Sequence, residues 1–450
     1  MGAALLYVIA SIVLIGSLAT GIAYFDSSST TSEISQSRSS QAYYASMSGL
    51  KAWRKIQQSA NPSTYTLGDS TFTLSYTGSG LGPFAVTSVG AAAGDAHFAS
   101  QKTYPAEEPE EGFSDFGPEI ENQDEAITNF SPEATRPDGY TAAQWQALLN
   151  KYGGESWIRF ANSLTNTNGA IWYRGDRGFC PGGNCPVGAC SDGKCALGNG
   201  LRVVFSFVFN DKDASTNSST AADVMAFCIM NAGNNDPDTA AGGAASGESY
   251  GEYLGYAGLG VHSVGIRPPK IGVEVDTYPN TTRNDDGDNN HIAALFWGQR
   301  DDAGYRDDNY HGAGGSSNNP ENPEYESSAK IKNKDVGYAK GSLGNGYNRY
   351  NWLEDGATHT IRIEVLRNTS TRKYEIKVWV VDGRPSAAAA FMDVTVNYSG
   401  SSPLVDYLMP TAFSTSDNTS LGHVYFGFTE ATGDASQTAD LYGLRFEFIQ

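Results

Sequence analysis

The sequence predicts a mainly β protein, a large β-sandwich head carried on a stalk that begins with one long helix. Three observations predict it. Gly (51), Tyr (25) and Phe (20) are abundant while charged residues make up 18%, a balance that suits many short strands joined by tight turns. Apolar residues alternate with polar ones through much of the chain beyond residue 64. Residues 3–25, by contrast, carry no charge at all. At 450 residues, more than one domain is the default expectation.

The elements follow in order. Residues 3–25 are apolar or small, and as a helix at 1.5 Å per residue they reach about 35 Å, enough for a bilayer core of about 30 Å. Neither a basic start nor a small-residue cleavage site is evident, so this reads as a membrane segment rather than a cleaved signal peptide. A Ser/Thr-rich stretch follows, and from Gln41 to Trp53 the apolar residues return at helical spacing, so one helix is expected over 1–58. Residues 59–104, with Tyr65-Thr-Leu-Gly-Asp-Ser-Thr-Phe-Thr-Leu-Ser-Tyr76 and Phe84-Ala-Val-Thr-Ser-Val-Gly90, alternate as a small β-meander. Residues 105–125, starting Pro105-Ala-Glu-Glu-Pro-Glu-Glu, are too acidic and proline-broken to build a core and read as a linker. The head is expected over 126–450. Its clearest strands are Leu201–Phe209, Leu441–Phe448, and the pair His359–Leu366 and Tyr374–Val381 joined through a hairpin turn at Asn368. Thr141 can cap a short helix to Lys151.

Charge and cysteines narrow the function. The chain has 50 acidic and 30 basic residues, a formal charge of −20, and no Lys/Arg cluster. That excludes nucleic acid, whose phosphates need a basic surface, and it suits divalent cations. Cys180, Cys185, Cys190 and Cys195 are spaced by five in an insert over 178–198 rich in Gly, Pro and Asn. The spacing lacks the paired C-x-x-C of zinc ribbons, so two disulfides are expected, with their pairing open. Cys228, in an apolar stretch, reads as a buried thiol in a strand.

The chemistry concentrates in Ile271-Gly-Val-Glu-Val-Asp-Thr-Tyr-Pro-Asn280, followed by Asp285-Asp-Gly-Asp-Asn-Asn-His291. On a strand, Glu274 and Asp276 point to one side and repel unless a cation lies between them. Asn280 and a carboxylate of the following loop can complete an oxygen cage for Ca²⁺, and His291 offers a nitrogen suited to Mn²⁺ or another transition metal.

Two resemblances attach to these residues. Gly2-Ala-Ala-Leu-Leu-Tyr-Val-Ile, the Ser-rich section and Gln41-Ala-Tyr-Tyr-Ala-Ser-Met-Ser-Gly-Leu50 resemble the start of minor pilins of type IV pili and minor pseudopilins of type II secretion systems. The resemblance implies pilin or pseudopilin partners contacted through the helix. It also implies residence in a bacterial inner membrane before assembly, and an extracellular or periplasmic filament (fimbrium) after it. Where most pilins carry Glu near the fifth mature residue, this chain has Leu5, or Tyr7 if the mature chain starts at Ala3. The departure implies a subunit with no neighbour in front of it, at a filament tip.

The carboxylate strand resembles the metal segment of legume and other L-type lectins, whose fold is the concanavalin A-like β-sandwich or jelly roll. Carried across, Glu274 and His291 would bind the transition metal, Asp276 and Asp286 would bridge both ions, and Asn280 with the Tyr278 carbonyl would complete the Ca²⁺ site. The loop is one residue longer than in concanavalin A, so Asp285 or Asp288 can stand in for Asp286. Three further stretches resemble the lectin sugar loops: Ala221-Ala-Asp-Val with Asp223, Gly251-Glu-Tyr-Leu-Gly-Tyr-Ala-Gly258 with Glu252 and Tyr253, and Val424–Gly433 leading to Asp434. Asp223, Glu252, Tyr253, Asn280, Gly433 and Asp434 are therefore the carbohydrate-binding candidates. Glu252 and Val224 stand where Gly is usual in that family. A related glycosidase motif needs a second acid where this chain has Pro279, so a non-enzymatic lectin-like adhesin is expected. The alternative is a structural or initiating cap that binds a protein partner or no sugar.

Overall fold

The computed structural model describes residues 2–56, 60–78, 80–93, 96–121, 127–131, 136–137, 139–160, 164–210, 225–243, 251–258, 265–278, 291–297, 330–332, 353, 356–408, 421–433 and 437–450. They form two compact units: Met1–Glu107 with Phe179–Asn184, and Glu108–Gly178 with Cys185–Gln450.

The first unit is one helix and a meander. Helix α1 (Gly2–Ile56) is followed by β1 (Ser63–Leu67), β2 (Ser70–Thr77), β3 (Phe84–Ala92) and β4 (Ala96–Tyr104), an antiparallel sheet in sequence order. Ala42, Ala45, Ser46 and Trp53 recur at helical spacing and are buried. They face β3, whose alternate residues Phe84, Val86, Ser88, Gly90 and Ala92 point inward. Gly90 is the contact point, since a Cβ there would collide with the Ala42 carbonyl. Ser46 Oγ donates to Ser88 O at 2.8 Å and Trp53 Nε1 to the Tyr104 hydroxyl at 2.6 Å. Phe179 completes this core, with its ring centroid 4.9 Å from Trp53 and 4.3 Å from Tyr76. Further toward the N-terminus, Ile12, Leu14 and Leu18 of α1 are 65–70% exposed. By length and composition this helix can cross a membrane.

The second unit runs β5 (Glu110–Glu111), β6 (Phe116–Glu121), β7 (Ile127–Phe130), α2 (Ala142–Lys151), β8 (Trp157–Phe160) and β9 (Asn168–Tyr173). Next come β10 (Cys190–Ser191), β11 (Lys194–Ala196), β12 (Gly200–Asn210), β13 (Met225–Asn231), β14 (Lys270–Asp276) and β15 (His291–Trp297). It closes with β16 (Lys330–Lys332), β17 (His359–Arg367), β18 (Tyr374–Asp382), β19 (Val405–Leu408), β20 (His423–Ala431) and β21 (Thr438–Ile449).

These strands make a sandwich of two antiparallel sheets. One has the order β10-β11-β20-β13-β14-β15-β16, with β9 also on β20 and β6 on β9. The other is β19-β18-β17-β12-β21-β8-β7, with β5 on β21. Their inner faces share one apolar core, in which Phe205 meets Phe428 at 4.9 Å and Phe426 meets Phe446 at 4.8 Å. The expected hairpin is β17–β18, and Thr141 caps α2 with a capping box completed by Gln144. Cys228 is a buried free thiol in β13. Cys190 and Cys195 are bonded across the β10–β11 hairpin, and Cys180 and Cys185 are also disulfide-bonded.

Two expectations need correction. The segment 105–125, expected as a linker, belongs to the sandwich from Glu108 onward. It supplies β5 and β6 and buries Phe113 and Phe116 in the main core, because two aromatic side chains outweigh the polarity of the residues around them. The insert over 178–198 likewise divides: Phe179–Asn184 belongs to the unit of α1, drawn by burial of Phe179.

Candidate functional site

Strand β14 lies inside its sheet, between β13 and β15. Ile271, Val273 and Val275 enter the core between the sheets. By the two-residue period of a strand, Lys270, Gly272, Glu274 and Asp276 share the other, outer face. Glu274 is 0% and Asp276 3% exposed. Glu274 stands in register between Ala226 and Ala293, and Asp276 opposite His291. Two like charges so close and so buried favour a nearby positive charge.

The described strand ends nearest the candidates in sequence lie together at one end of this sheet. Asp276 closes β14 and His291 opens β15 as its antiparallel partner. Met225, two residues after Asp223, opens β13 opposite Val275 and Glu430. Ala431, two residues before Gly433, closes β20 opposite Asn168, the first residue of β9. The chain is fastened at this end. Tyr278 N donates to Asp276 Oδ1 at 2.7 Å, Gln437 Nε2 to Thr277 Oγ1 at 2.8 Å, and Asn166 N to the Gly433 carbonyl at 2.8 Å. Asp223, Asn280, Asp286 with Asp285 and Asp288, Asp434, and the side chain of His291 lie outside the described residues. Among the described residues, no group of three or more His, Cys, Asp or Glu is placed to hold a metal ion. The donors that are described, two buried carboxylates and a tyrosine carbonyl beside them, are the hard oxygen ligands Ca²⁺ takes.

Glu252 and Tyr253 sit in a short 3₁₀ turn, Gly251–Tyr253, above the same outer face. Both are half-buried. Tyr253 packs on an apolar cluster that includes Trp172, Ala226, Cys228 and Tyr256, so its ring is partly a packing element. Burial pushes the Cys228 thiol beneath them up to about 12. Sequence reasoning missed the polar side chains that rise from this face beside the candidates: Asn168, Lys270 and Thr429, all buried. Nothing in the sequence marked them, although Lys270 stands out once its burial is known, since a lysine is almost never fully buried without a partner.

No family model matches the chain, and no curated protein does. Among solved structures, the chain is similar to peanut lectin with a nine-residue peptide, at 16% identity and TM-score 0.35, over 74% of this chain and 97% of that one. It is similar to lectin I-B4 of Griffonia simplicifolia in its metal-free form, at 14% identity and TM-score 0.34, over 73% and 98%. It is also similar to the PL-14 alginate lyase of Aplysia kurodai, at 9% identity and TM-score 0.32, over 74% and 90%. Scores at this level assign neither family nor activity.

Proposed function

We propose that this chain is a minor pilin-like subunit, placed at a filament tip, whose sandwich head binds carbohydrate with the help of Ca²⁺ and a transition metal such as Mn²⁺. The observation that carries the reading is the burial of Glu274 and Asp276 on one strand face, with Asp276 in register with His291. Glu274 and His291 would hold the transition ion, Asp276 and Asp286 both ions, and Asn280 with the Tyr278 carbonyl the calcium. The ions would neutralise the carboxylates and order the loop after Pro279. Asp223, Asn280, Glu252, Tyr253, Gly433 and Asp434 would then face the sugar already arranged, which lowers the entropy cost of binding. The exposed apolar length of α1 supports membrane residence followed by contact with other subunits. The disulfides support an oxidising compartment outside the cytosol.

The test is thermal melting of the full-length chain in detergent, first in EDTA and then with Ca²⁺ and Mn²⁺ restored. Metal at 100 times its dissociation constant should add about 2.7 kcal/mol, and Asp276→Ala should abolish the gain. A gain, followed by binding on an oligosaccharide array, supports the adhesin. No gain removes the metal site. A gain without glycan binding moves the reading to a structural cap.

A further inference from the structure

The outer face of the β14 sheet is covered by two chain segments, 240–243 and 251–258, which bond to each other through Gly242 N to Gly255 O at 2.6 Å and Gly243 N to Ala257 O at 2.7 Å. What holds this strap down is a set of side chains on three strands, each donating to one of its main-chain carbonyls. From β9, Asn168 Nδ2 donates to Gly242 O at 2.5 Å and Trp172 Nε1 to Ala240 O at 3.0 Å. From β20, Thr429 Oγ1 donates to Leu254 O at 2.8 Å. From β14, Lys270 Nζ donates to Tyr256 O at 2.6 Å and lies 4.2 Å from the centroid of the Tyr256 ring. All four donor residues are at most 1% exposed. Leu254, itself buried, is held at φ +54°, a conformation that a branched L-residue keeps only when its surroundings enforce it.

We infer that Lys270 is a positioning residue: its ammonium fixes the strap through the Tyr256 carbonyl and ring, and so sets where Glu252 and Tyr253 stand relative to the carboxylate end of β14. Among the four donors it alone is charged. A charge-assisted bond in a dry setting is about twice as strong as a neutral one, and the ring adds a cation–π contact. Lys270 and Glu274 lie on the same face of the same strand, so one rigid element bears both the fastening of the strap and the candidate metal ligand. The sugar-facing consequence rests on the proposed lectin function; the fastening itself does not.

Cys228 gives a reporter. It is the free cysteine of the five, fully buried beneath the strap in one cluster with Tyr256, Ala240 and Ala257, and its Sγ lies 3.6 Å from Thr429 Oγ1. In the full-length chain in detergent, Lys270→Met should speed labelling of Cys228 by a soluble maleimide about ten- to hundredfold under native conditions. Val378→Ala, a cavity in the core of the opposite sheet, should speed it far less at equal loss of global stability. Equal acceleration by both variants, or none with Lys270→Met, overturns the inference. Lys270→Met should keep the metal-dependent gain in melting temperature and lose binding on the oligosaccharide array. Retained array binding with a loosened strap also overturns it, because Lys270 would then position nothing that meets the sugar. A wild-type chain that binds no oligosaccharide defeats the lectin reading, and labelling of Cys228 then judges the fastening alone.

Discussion

The two outer faces of the sandwich bury charge in different settings. On the β12–β21 sheet the buried acids Asp440 and Glu364, among the described residues, each have a basic partner. Asp440 accepts from Arg159 Nε at 2.7 Å and from the Tyr152 hydroxyl, and Arg159 reaches the Tyr140 hydroxyl at 2.8 Å. Glu364 accepts from Arg362 Nε at 2.8 Å, while Arg362 Nη1 also donates to the carbonyls of Phe391 and Asp393. Helix α2 covers the first pair with Trp145 and Tyr152. On the β14 sheet Glu274 and Asp276 share the outer face of one strand, and the buried Lys270 of that strand donates to the Tyr256 carbonyl. Paired charge of the first kind is architecture, closed on itself. On the other face the two carboxylates stand at the strand end that the proposed metal site would use.

That contrast can be broken in the laboratory. The largest effect is expected from Arg159→Met, which leaves Asp440 buried without its guanidinium and should cost about 3–5 kcal/mol in denaturant unfolding of the full-length chain. Asp440→Asn should then recover part of the loss in the double variant. Next, in EDTA, Asp276→Asn should leave the melting temperature unchanged or raise it by relieving repulsion, whereas Asp440→Asn lowers it. With Ca²⁺ and Mn²⁺ present, Asp276→Asn should instead forfeit the gain of about 2.7 kcal/mol expected at saturation. If the two asparagine variants behave alike in EDTA, the difference between the faces is only apparent.

A smaller effect comes from Cys228. Its folded-state value lies above its ordinary one, at about 12, because burial disfavours the thiolate. Its contribution to stability is therefore intact below about pH 9 and lost as pH rises toward 12, where the unfolded chain ionises first, at a slope of up to about 1.4 kcal/mol per pH unit. Unfolding midpoints of wild type and Cys228→Ala, compared at pH 8 and pH 10, should converge at the higher pH. A constant gap would mean that the thiol is not sealed under the strap. The smallest effect belongs to the other face: Thr141→Ala removes the cap of α2 and should cost about 1 kcal/mol, seen as a lower unfolding midpoint with the metal response unchanged.

Much of this was legible in the sequence, and the reason is periodicity. Runs such as Leu201–Phe209 and the β17–β18 pair announce buried strands, and Thr141 with Gln144 announces a helix start. Glu274 and Asp276 were legible as neighbours because two residues is one strand period. The strap was not, since its fastenings join Asn168, Thr429 and Lys270 to carbonyls that every residue possesses. Phe113 and Phe116 were missed for a different reason: two aromatic residues in an acidic, proline-rich stretch leave no period to read, yet each buries enough surface to draw the segment into the core. Phe179 was hidden by the same arithmetic of single large residues.

Phe179 also sets a schedule for biosynthesis. When residues 1–107 have left the ribosome, Trp53, Tyr76 and Phe84 still lack the ring that completes their cluster. That ring is made about 70 residues later, roughly 4–14 s at 5–20 residues per second. The unit of α1 therefore cannot finish folding until its own distant segment Phe179–Asn184 has been made, and a gene cut after Glu107 would release that unit with its aromatic core exposed.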